Sequence, residues 1–468
     1  MDIFGTGRSS APNKNLLDLS HERKFSMKMA DLVPILCEEV IPGDTFRMNT
    51  EIMVRLAPLV APMMHRVNVY THFFFVPNRL VWDDWERFIT GGETGNQVEP
   101  VLPYVELSNE NMALANVSGG LMDFLGYPVT YGQGVVGDSR VNALPLRAYH
   151  LIWNEWYRDQ NLQGANEIPK KSGVEDADHL MYLQKRNWEK DYFTTCLPWA
   201  QKGGEVAIPG EFDGGNLDFT HGTINELRNA TRLQRWLEKN ARGGSRYIEQ
   251  ILSHFGVRSS DARLQRPEYL GGGKSPIVIS EVQQTSQTTQ GEDGSPQGNL
   301  AGHGIAVGNS HSFTKTFEEH GFVFGLVSVM PRTSYMDTCR RHVWKKDRFD
   351  FYWPEFANLG EQPVYKKELY DGLTGGPIPS DVFGYQPRYQ EYKFIPSTVH
   401  GDFKTSLAFW HMARKFEGTP NLNSSFVTAN PTKRVFAVED PLVHELYVQV
   451  YNNLKATRPM PVYSNPSL

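Results

Sequence analysis

The stretch from His65 to Gly92 constrains the fold most strongly, because a strand pattern passes directly into a helix pattern within it. Up to Pro77 apolar residues alternate with polar ones, as in a β-strand, and partly apolar residues on the second face indicate burial on both sides. Pro77 has no amide hydrogen to give to a sheet and ends the strand. Apolar residues then recur at helical spacing as far as Gly91, a typical helix stop. This layout is typical of a β-sheet that carries elaborate insertions.

The rest of the sequence also favours a β fold. A second strand is predicted at residues 45–56, where apolar and polar side chains alternate. Aromatic residues make up 12% of the chain, with 41 glycines and 29 prolines, a composition that favours a β-sandwich or barrel over a helix bundle. The 468 residues suffice for two or three ordinary domains, or for one large β domain enlarged by loops.

Charge and cysteine content exclude several classes of protein. A net charge of −6 argues against a surface that binds nucleic acid everywhere, so any such contact must be a local patch. Cys37, Cys196 and Cys339 are far apart, which predicts buried free thiols rather than a disulfide framework or a zinc site. The N-terminus lacks the apolar core of a secretory signal, and apolar runs such as residues 322–330 are too short to span a membrane. We therefore expect a soluble protein from a reducing compartment.

Four segments lie outside the strand pattern. Residues 1–30 are polar and slightly basic, which predicts either a flexible tail or an N-terminal arm that orders only against a partner subunit or nucleic acid. Residues 146–160 predict an amphipathic helix rich in aromatic side chains, and residues 223–256 predict a helical hairpin. Residues 281–312 are rich in Gln, Thr, Gly and Ser, and predict a polar loop too long for a simple connector.

Two glycine-rich motifs and one histidine pair invite a functional interpretation that their surroundings do not support. Residues 132–137 match a dinucleotide-binding fingerprint, but Pro145 interrupts the chain before the required helix could form. Residues 271–275 resemble the end of a phosphate-binding loop, but a strand pattern follows them. His303 and His311 have poor spacing for metal ligands in a flexible loop. The sequence thus predicts no catalytic residue, no metal site, no cofactor and no enzyme.

The strongest functional signal is a segment in which basic residues alternate with aromatic ones. Single-stranded nucleic acid binding needs this combination, since cations neutralise phosphates and flat rings stack on unpaired bases. A second interpretation is a solvated basic face beside a core aromatic cluster, and spacing alone favours it. The candidate DNA-binding residues are Arg340, Arg341, Lys345, Lys346 and Arg348.

Several long blocks of the sequence resemble the major capsid protein of the Microviridae, small tailless phages with circular single-stranded DNA. The likeness is nearest to the gokushovirus branch and extends, in family order, from about Ala30 to past Phe416. The blocks are residues 76–88, 144–162, 192–203, 241–273, 348–370 and 383–394.

The resemblance implies an eight-stranded antiparallel jelly roll with long loop and helical insertions. Residues 31–468 would form this single capsid domain, which includes the hairpin, and residues 1–30 would form its arm. About sixty copies would assemble through pentamers into a T=1 icosahedral shell around the genome. Relatives usually carry a long insertion before the hairpin that forms three-fold protrusions, whereas here only residues 205–221 occupy that place.

The resemblance also implies partners and a location. The family works with an internal scaffolding protein, a DNA pilot protein and a small basic DNA-binding protein, besides single-stranded genomic DNA and a host surface receptor. The small basic protein would supply the cations that a coat with a net charge of −6 lacks. The protein would be assembled in the host cytoplasm and reside in the virion.

Two alternatives from other classes are open. A jelly-roll carbohydrate-binding module would be a monomer with exposed aromatic residues and carboxylates in a cleft. A jelly-roll enzyme would need a His/Glu metal cluster, and no set of residues with ligand spacing is evident in the sequence.

Overall fold

Two antiparallel β-sheets that share a hydrophobic core form the centre of the structure. The computed structural model describes residues 13–462 apart from 96, 108–116, 130–139, 205, 207–210, 214–215, 219–223, 284–299, 371–378 and 439. The described strands are β1 (Asn15–Asp18), β2 (His21–Met27), β3 (Val33–Val40), β4 (Thr45–Leu56), β5 (Val67–Pro77), β6 (Tyr104–Glu106), β7 (Arg140–Asn142), β8 (Glu211–Asp213), β9 (Asn216–Asp218), β10 (Glu268–Pro276), β11 (Val278–Gln283), β12 (Leu300–Thr316), β13 (Gly321–Pro331), β14 (Glu361–Tyr365), β15 (Val382–Pro387) and β16 (Leu446–Arg458).

Helices lie mainly in the long connection between β5 and β10. The described α-helices are α1 (Trp85–Thr90), α2 (Leu121–Leu125), α3 (Leu144–Ile152), α4 (Ile224–Gly243), α5 (Tyr247–Phe255), α6 (Lys366–Leu369) and α7 (Ser424–Val427). Helices α4 and α5 lie where the sequence predicts a hairpin. The aromatic helix predicted at residues 146–160 is α3 followed by a π-helical turn, Trp153–Tyr157. No helix in the described residues is long and apolar enough to cross a membrane.

The strand order is that of a jelly roll. One sheet has the order β1–β16–β4–β12–β11, with β2 also paired to β16, and the other has the order β10–β5–β13–β3. From β2 to β5 successive strands alternate between the sheets, and so do β12, β13 and β16, as in two interleaved Greek keys. The mainly β, antiparallel fold class is confirmed. Within the described residues the two sheets hold ten strands rather than eight, because β1 and β11 extend the larger sheet.

The strands β5 and β13 are buried on both faces, as the sequence predicts for β5. Every residue of β13 is buried, and so is every residue of β5 except His72. Their inner face packs against the six-stranded sheet, and their outer face is covered by insertion residues such as Leu146 and Tyr149 of α3. Strand β4 alternates strictly between buried and less buried residues, because only one of its faces meets the core.

The N-terminal segment is ordered against the chain's own sheet. Strands β1 and β2 both pair with β16, and the register joins Asn15 to Arg458 and His21 to Asn452. For residues 15–27 the prediction of a flexible tail, or of an arm that orders only on a partner, is therefore wrong. Backbone hydrogen bonds to an edge strand hold this segment, and they need no apolar alternation. Residues 1–12 lie outside the described residues.

The prediction of a polar loop at residues 281–312 is also wrong for those residues of the range that the structure describes. Residues 278–283 and 300–316 are the paired strands β11 and β12, and β12 also pairs with β4. The inward positions of β12 include Gly304 and Gly308, where an added Cβ would meet Leu56 and Ser275 respectively. The sequence of β12 therefore shows no regular apolar pattern, because the core has room only for small residues at these two positions. Residues 284–299 lie outside the described residues.

The fold agrees with the rejection of one of the two glycine-rich motifs. Residues 271–275 lie within β10 and pair with β5, so the glycine run is part of a sheet. The fingerprint at residues 132–137 lies outside the described residues. None of Cys37, Cys196 and Cys339 forms a disulfide in the described residues, and Cys196 is buried. In the part of the chain that the structure describes, no group of three or more His, Cys, Asp or Glu residues is placed to hold a metal.

Candidate nucleic-acid interface

The candidate basic residues lie in a loop between β13 and β14 that local hydrogen bonds hold in place. This basic–aromatic loop, residues 340–353, contains short 3₁₀ turns at Arg341–Trp344 and Arg348–Asp350. The Asp347 carboxylate accepts hydrogen bonds from the amides of Phe349 (2.7 Å) and Asp350 (3.2 Å). The Asp350 carboxylate in turn accepts one from the Lys346 amide (2.7 Å). The loop therefore presents its side chains from a defined backbone.

Four of the five candidate cations lie at the surface of this loop. Arg340, Lys346 and Arg348 are exposed and form no ion pair with any residue that the structure describes. Lys345 is half-buried, and its Nζ donates to the Tyr392 hydroxyl (2.6 Å) while it lies 4.2 Å from the centre of that ring. Such a contact fixes the ammonium group without neutralising its charge.

Arg341, the fifth candidate, points into the protein. Its Nη1 donates to the Pro363 carbonyl (2.7 Å) and lies 3.3 Å from the Glu368 carboxylate, while its Nε is 3.8 Å from Glu391. Burial is the largest single influence and lowers the pKa of Arg341, but Glu368, Tyr192 and Glu391 together outweigh burial and raise it. The Arg341 charge is therefore already compensated within the protein.

All aromatic residues of the loop except the partly buried Trp344 are exposed rather than buried in the core. Phe349, Phe351, Tyr352 and Trp353 expose 50%, 54%, 50% and 45% of their surface, and Tyr392 beside them exposes 53%. The interpretation that placed these rings in a core cluster is therefore wrong in that respect. A soluble monomer rarely exposes so many neighbouring aromatic side chains without an interaction to serve.

Sequence reasoning did not find Tyr392, which completes the surface from a separate segment. Its hydroxyl accepts the Lys345 hydrogen bond and also one from the Tyr352 amide (3.2 Å). Tyr392 follows Lys345 by 47 positions and Tyr352 by 40, so only the tertiary structure could bring it here. Lys367 adds a further cation to this surface, since its Nζ lies 4.8 Å from the centre of the Trp344 ring.

Known proteins are similar in sequence to nearly the whole of this chain. The family described as capsid protein (F protein) matches residues 8–217 and 216–468. Capsid protein VP1 of Chlamydia phage 1 is 35% identical over 583 residues, covering 97% of this chain and 96% of the relative. Capsid protein VP1 of Bdellovibrio phage phiMH2K is 36% identical and covers 95% and 93%, and that of Spiroplasma virus 4 is 28% identical and covers 97% and 95%.

These matches confirm the resemblance to gokushovirus capsid proteins. A capsid protein assembles with further copies around DNA, so oligomeric assembly and location in the virion follow at that level. The alternatives of a carbohydrate-binding module and an enzyme lose their basis, because the matching family is one of structural capsid proteins. The chain belongs to the capsid protein (F protein) family of the Microviridae.

Proposed function

We propose that this capsid protein closes a T=1 icosahedral shell of about sixty copies, through pentamers, around a circular single-stranded DNA genome. In this proposal the basic–aromatic loop faces the genome. The observation that carries it is the group of half-exposed rings at Phe349, Phe351 and Tyr352 beside exposed cations that form no ion pair with any described residue. Residues 31–468 are proposed as one jelly-roll capsid domain with its hairpin at residues 223–256, and the segment at residues 15–27 adds strands β1 and β2 to the larger sheet of this domain.

In this proposal two kinds of side chain in the loop contact different parts of the DNA. Arg340, Lys346 and Arg348 contact phosphates, because exposed and unpaired cations release counterions when they bind a polyanion. The exposed rings stack on bases, which is tolerant of sequence because every base has a flat face. Lys345 contributes charge from a fixed position over Tyr392. Arg341 takes part indirectly, by holding Glu368 and the backbone beneath the loop.

The proposed partners follow from the charge and from the family. A coat with a net charge of −6 cannot neutralise a packaged genome, so a small basic DNA-binding protein supplies cations. We also propose an internal scaffolding protein, a DNA pilot protein and a host surface receptor, with assembly in the host cytoplasm. The proposed role is structural, with no catalytic residue, metal or cofactor.

We propose that this shell lacks a prominent three-fold protrusion. The family match is divided into two segments that meet at residues 216–217, close to the short segment at residues 205–221. The alignment with the Chlamydia phage 1 protein extends over 583 positions, more than the 468 residues of this chain, so that relative contains residues without a counterpart here. The longer relative supports a shortened insertion in this chain, and the division of the family match supports residues 205–221 as its position.

Purified protein is expected to form closed isometric shells, or pentamers that become shells when the scaffolding protein is added. Light scattering and negative-stain imaging with and without that protein measure the particle size. Shells of about sixty subunits would support the proposed assembly. A stable monomer under both conditions would contradict it.

A Lys346→Ala/Arg348→Ala variant is expected to bind single-stranded DNA more weakly and with a weaker dependence on salt. Loss of two phosphate contacts should reduce the slope of log affinity against log salt by about 1.4. Fluorescence anisotropy of the full-length, unassembled chain with a labelled oligonucleotide measures both quantities. Arg228→Ala/Arg232→Ala is a control with the same change in charge, because both arginines are exposed on α4 and unpaired among the described residues. Equal losses in the two variants would contradict a role for the loop.

A further inference from the structure

A cavity of about 220 Å³ opens beside the basic–aromatic loop. It lies between the start of the loop, α6 and residues 391–396. Its volume is much larger than the ~30 Å³ share of one water molecule in the liquid. The cavity therefore has room for a flat ring with polar substituents.

The walls and rim of the cavity differ in chemistry. Phe193, which is buried, and Ile395 and Tyr392, which are exposed, provide apolar and aromatic walls. Arg340 and Lys345 lie at the rim and carry positive charge. An anionic group is thus attracted to the opening, while a flat apolar surface can pack inside.

The interior of the cavity contains carboxylates, of which one oxygen has no donor. Glu368 is satisfied, because Oε2 accepts from the Tyr192 hydroxyl (3.0 Å) and Oε1 accepts from the Tyr365 amide (3.1 Å). Glu391 Oε2 accepts from the Gln362 side-chain amide (2.7 Å). Glu391 Oε1 accepts no hydrogen bond from the described residues, since its nearest cation, Arg341 Nε, is 3.8 Å away. The Glu391 side chain is only 11% exposed, so a ligand with a donor group would meet an acceptor on a largely enclosed side chain.

We propose that this cavity binds one unstacked base of single-stranded DNA and prefers bases with an exocyclic amino group. The amino group of guanine, adenine or cytosine donates to Glu391 Oε1, the base stacks against Tyr392, and its phosphate lies near Arg340 and Lys345. Thymine has no amino group, and the only donor on its base edge, N3–H, lies between two carbonyls that would face the carboxylate unfavourably. This inference rests on the proposed genome-facing role of the loop, and it adds base selectivity at one position.

A nucleotide fits this combination better than a simple ion does. An inorganic anion would be attracted by Lys345 at the rim, but inside it would meet Glu368 and Glu391, two carboxylates that share the single cation Arg341. A metal cation would be attracted by the carboxylates inside but repelled by Arg340 and Lys345 at the rim. Only a ligand with an anionic group joined to a flat donor-bearing ring satisfies both regions, and a deoxynucleotide has that structure.

Calorimetric titration of the full-length, unassembled chain with dGMP, dAMP, dCMP, TMP and inorganic phosphate tests the proposal. The amino-bearing nucleotides are expected to bind at least about tenfold more tightly than TMP, as for a hydrogen bond to a charged acceptor. Glu391→Gln should reduce this preference to within about twofold, because the amide is neutral and can donate to a thymine carbonyl. Glu355→Gln, at an exposed carboxylate after the loop, is the matched control and should keep the preference.

The possible results separate this inference from the proposed function. Equal binding of the four nucleotides, or a preference that persists in Glu391→Gln, would overturn the base pocket. If an oligonucleotide still binds with strong salt dependence in that case, the genome-facing role of the loop remains supported. Nucleotide preference without any oligonucleotide binding would support the pocket and overturn the proposed role of the loop. Absence of both kinds of binding would overturn both.

Discussion

An Arg147→Met variant is expected to lose about 3–5 kcal/mol of unfolding free energy, because Glu175 would remain as a buried charge without a partner. Both side chains are fully buried, and Nε and Nη2 of Arg147 each lie 2.8 Å from Glu175 Oε2. Arg147 also donates to the carbonyls of Val81 (3.2 Å) and Lys171 (3.1 Å). These contacts join α3 to two neighbouring segments of the insertion, so their loss should loosen the whole outer layer over β5.

Urea unfolding of the purified, unassembled chain measures this loss as a shift of the midpoint. Arg87→Met is the matched control, since Arg87 forms an exposed pair with Asp84 at 3.8 Å and should change stability by less than about 1 kcal/mol. Arg147→Met/Glu175→Leu should recover part of the loss, because no unpaired charge remains buried. Equal midpoints for Arg147→Met and Arg87→Met would contradict the importance of the buried pair.

The sequence alone was sufficient to predict those strands whose apolar pattern matches their buried faces. Strand β5 ends at Pro77 as predicted, and β4 spans the predicted residues 45–56, because their apolar residues follow the faces that meet the core. Strand β12 was missed, since glycines and the buried His311 occupy inward positions that usually carry aliphatic residues. A strand that is held by hydrogen bonds on both sides does not need a hydrophobic pattern to form.

The candidate site was only partly predictable for a related reason. Spacing placed Arg341 among the surface cations, but its burial depends on Glu368 and Glu391, which follow later in the chain. The burial of Arg147 was likewise not predictable from the sequence, because a single arginine in an amphipathic helix usually faces solvent. Ion pairs between segments that are distant in sequence can be identified only from the tertiary structure, which brings those segments into contact.

Acidification is expected to destabilise the chain through His150, which is fully buried in α3. Its Nδ1 accepts from the Asn166 side-chain amide (2.9 Å), and its Nε2 donates to the Leu180 carbonyl (3.0 Å), an arrangement that suits only the neutral ring. Burial lowers the pKa of His150 from 6.5 to about 3. Because the unfolded chain binds the proton first, the stability due to the neutral ring is complete above pH 6.5. It then falls by about 1.4 kcal/mol per pH unit until the pH nears 3.

Unfolding midpoints of the wild-type chain and of His150→Gln, measured at several pH values between 7 and 4, test this mechanism. Glutamine does not titrate, so the variant should lose stability less steeply with acid, by about 1.4 kcal/mol per pH unit below pH 6, whatever its stability at pH 7. His342→Gln removes an exposed histidine and should keep the wild-type slope. If His150→Gln also kept that slope, the acid sensitivity would have to come from other buried groups. The neutral ring in α3 would then contribute packing and hydrogen bonds without linking stability to pH.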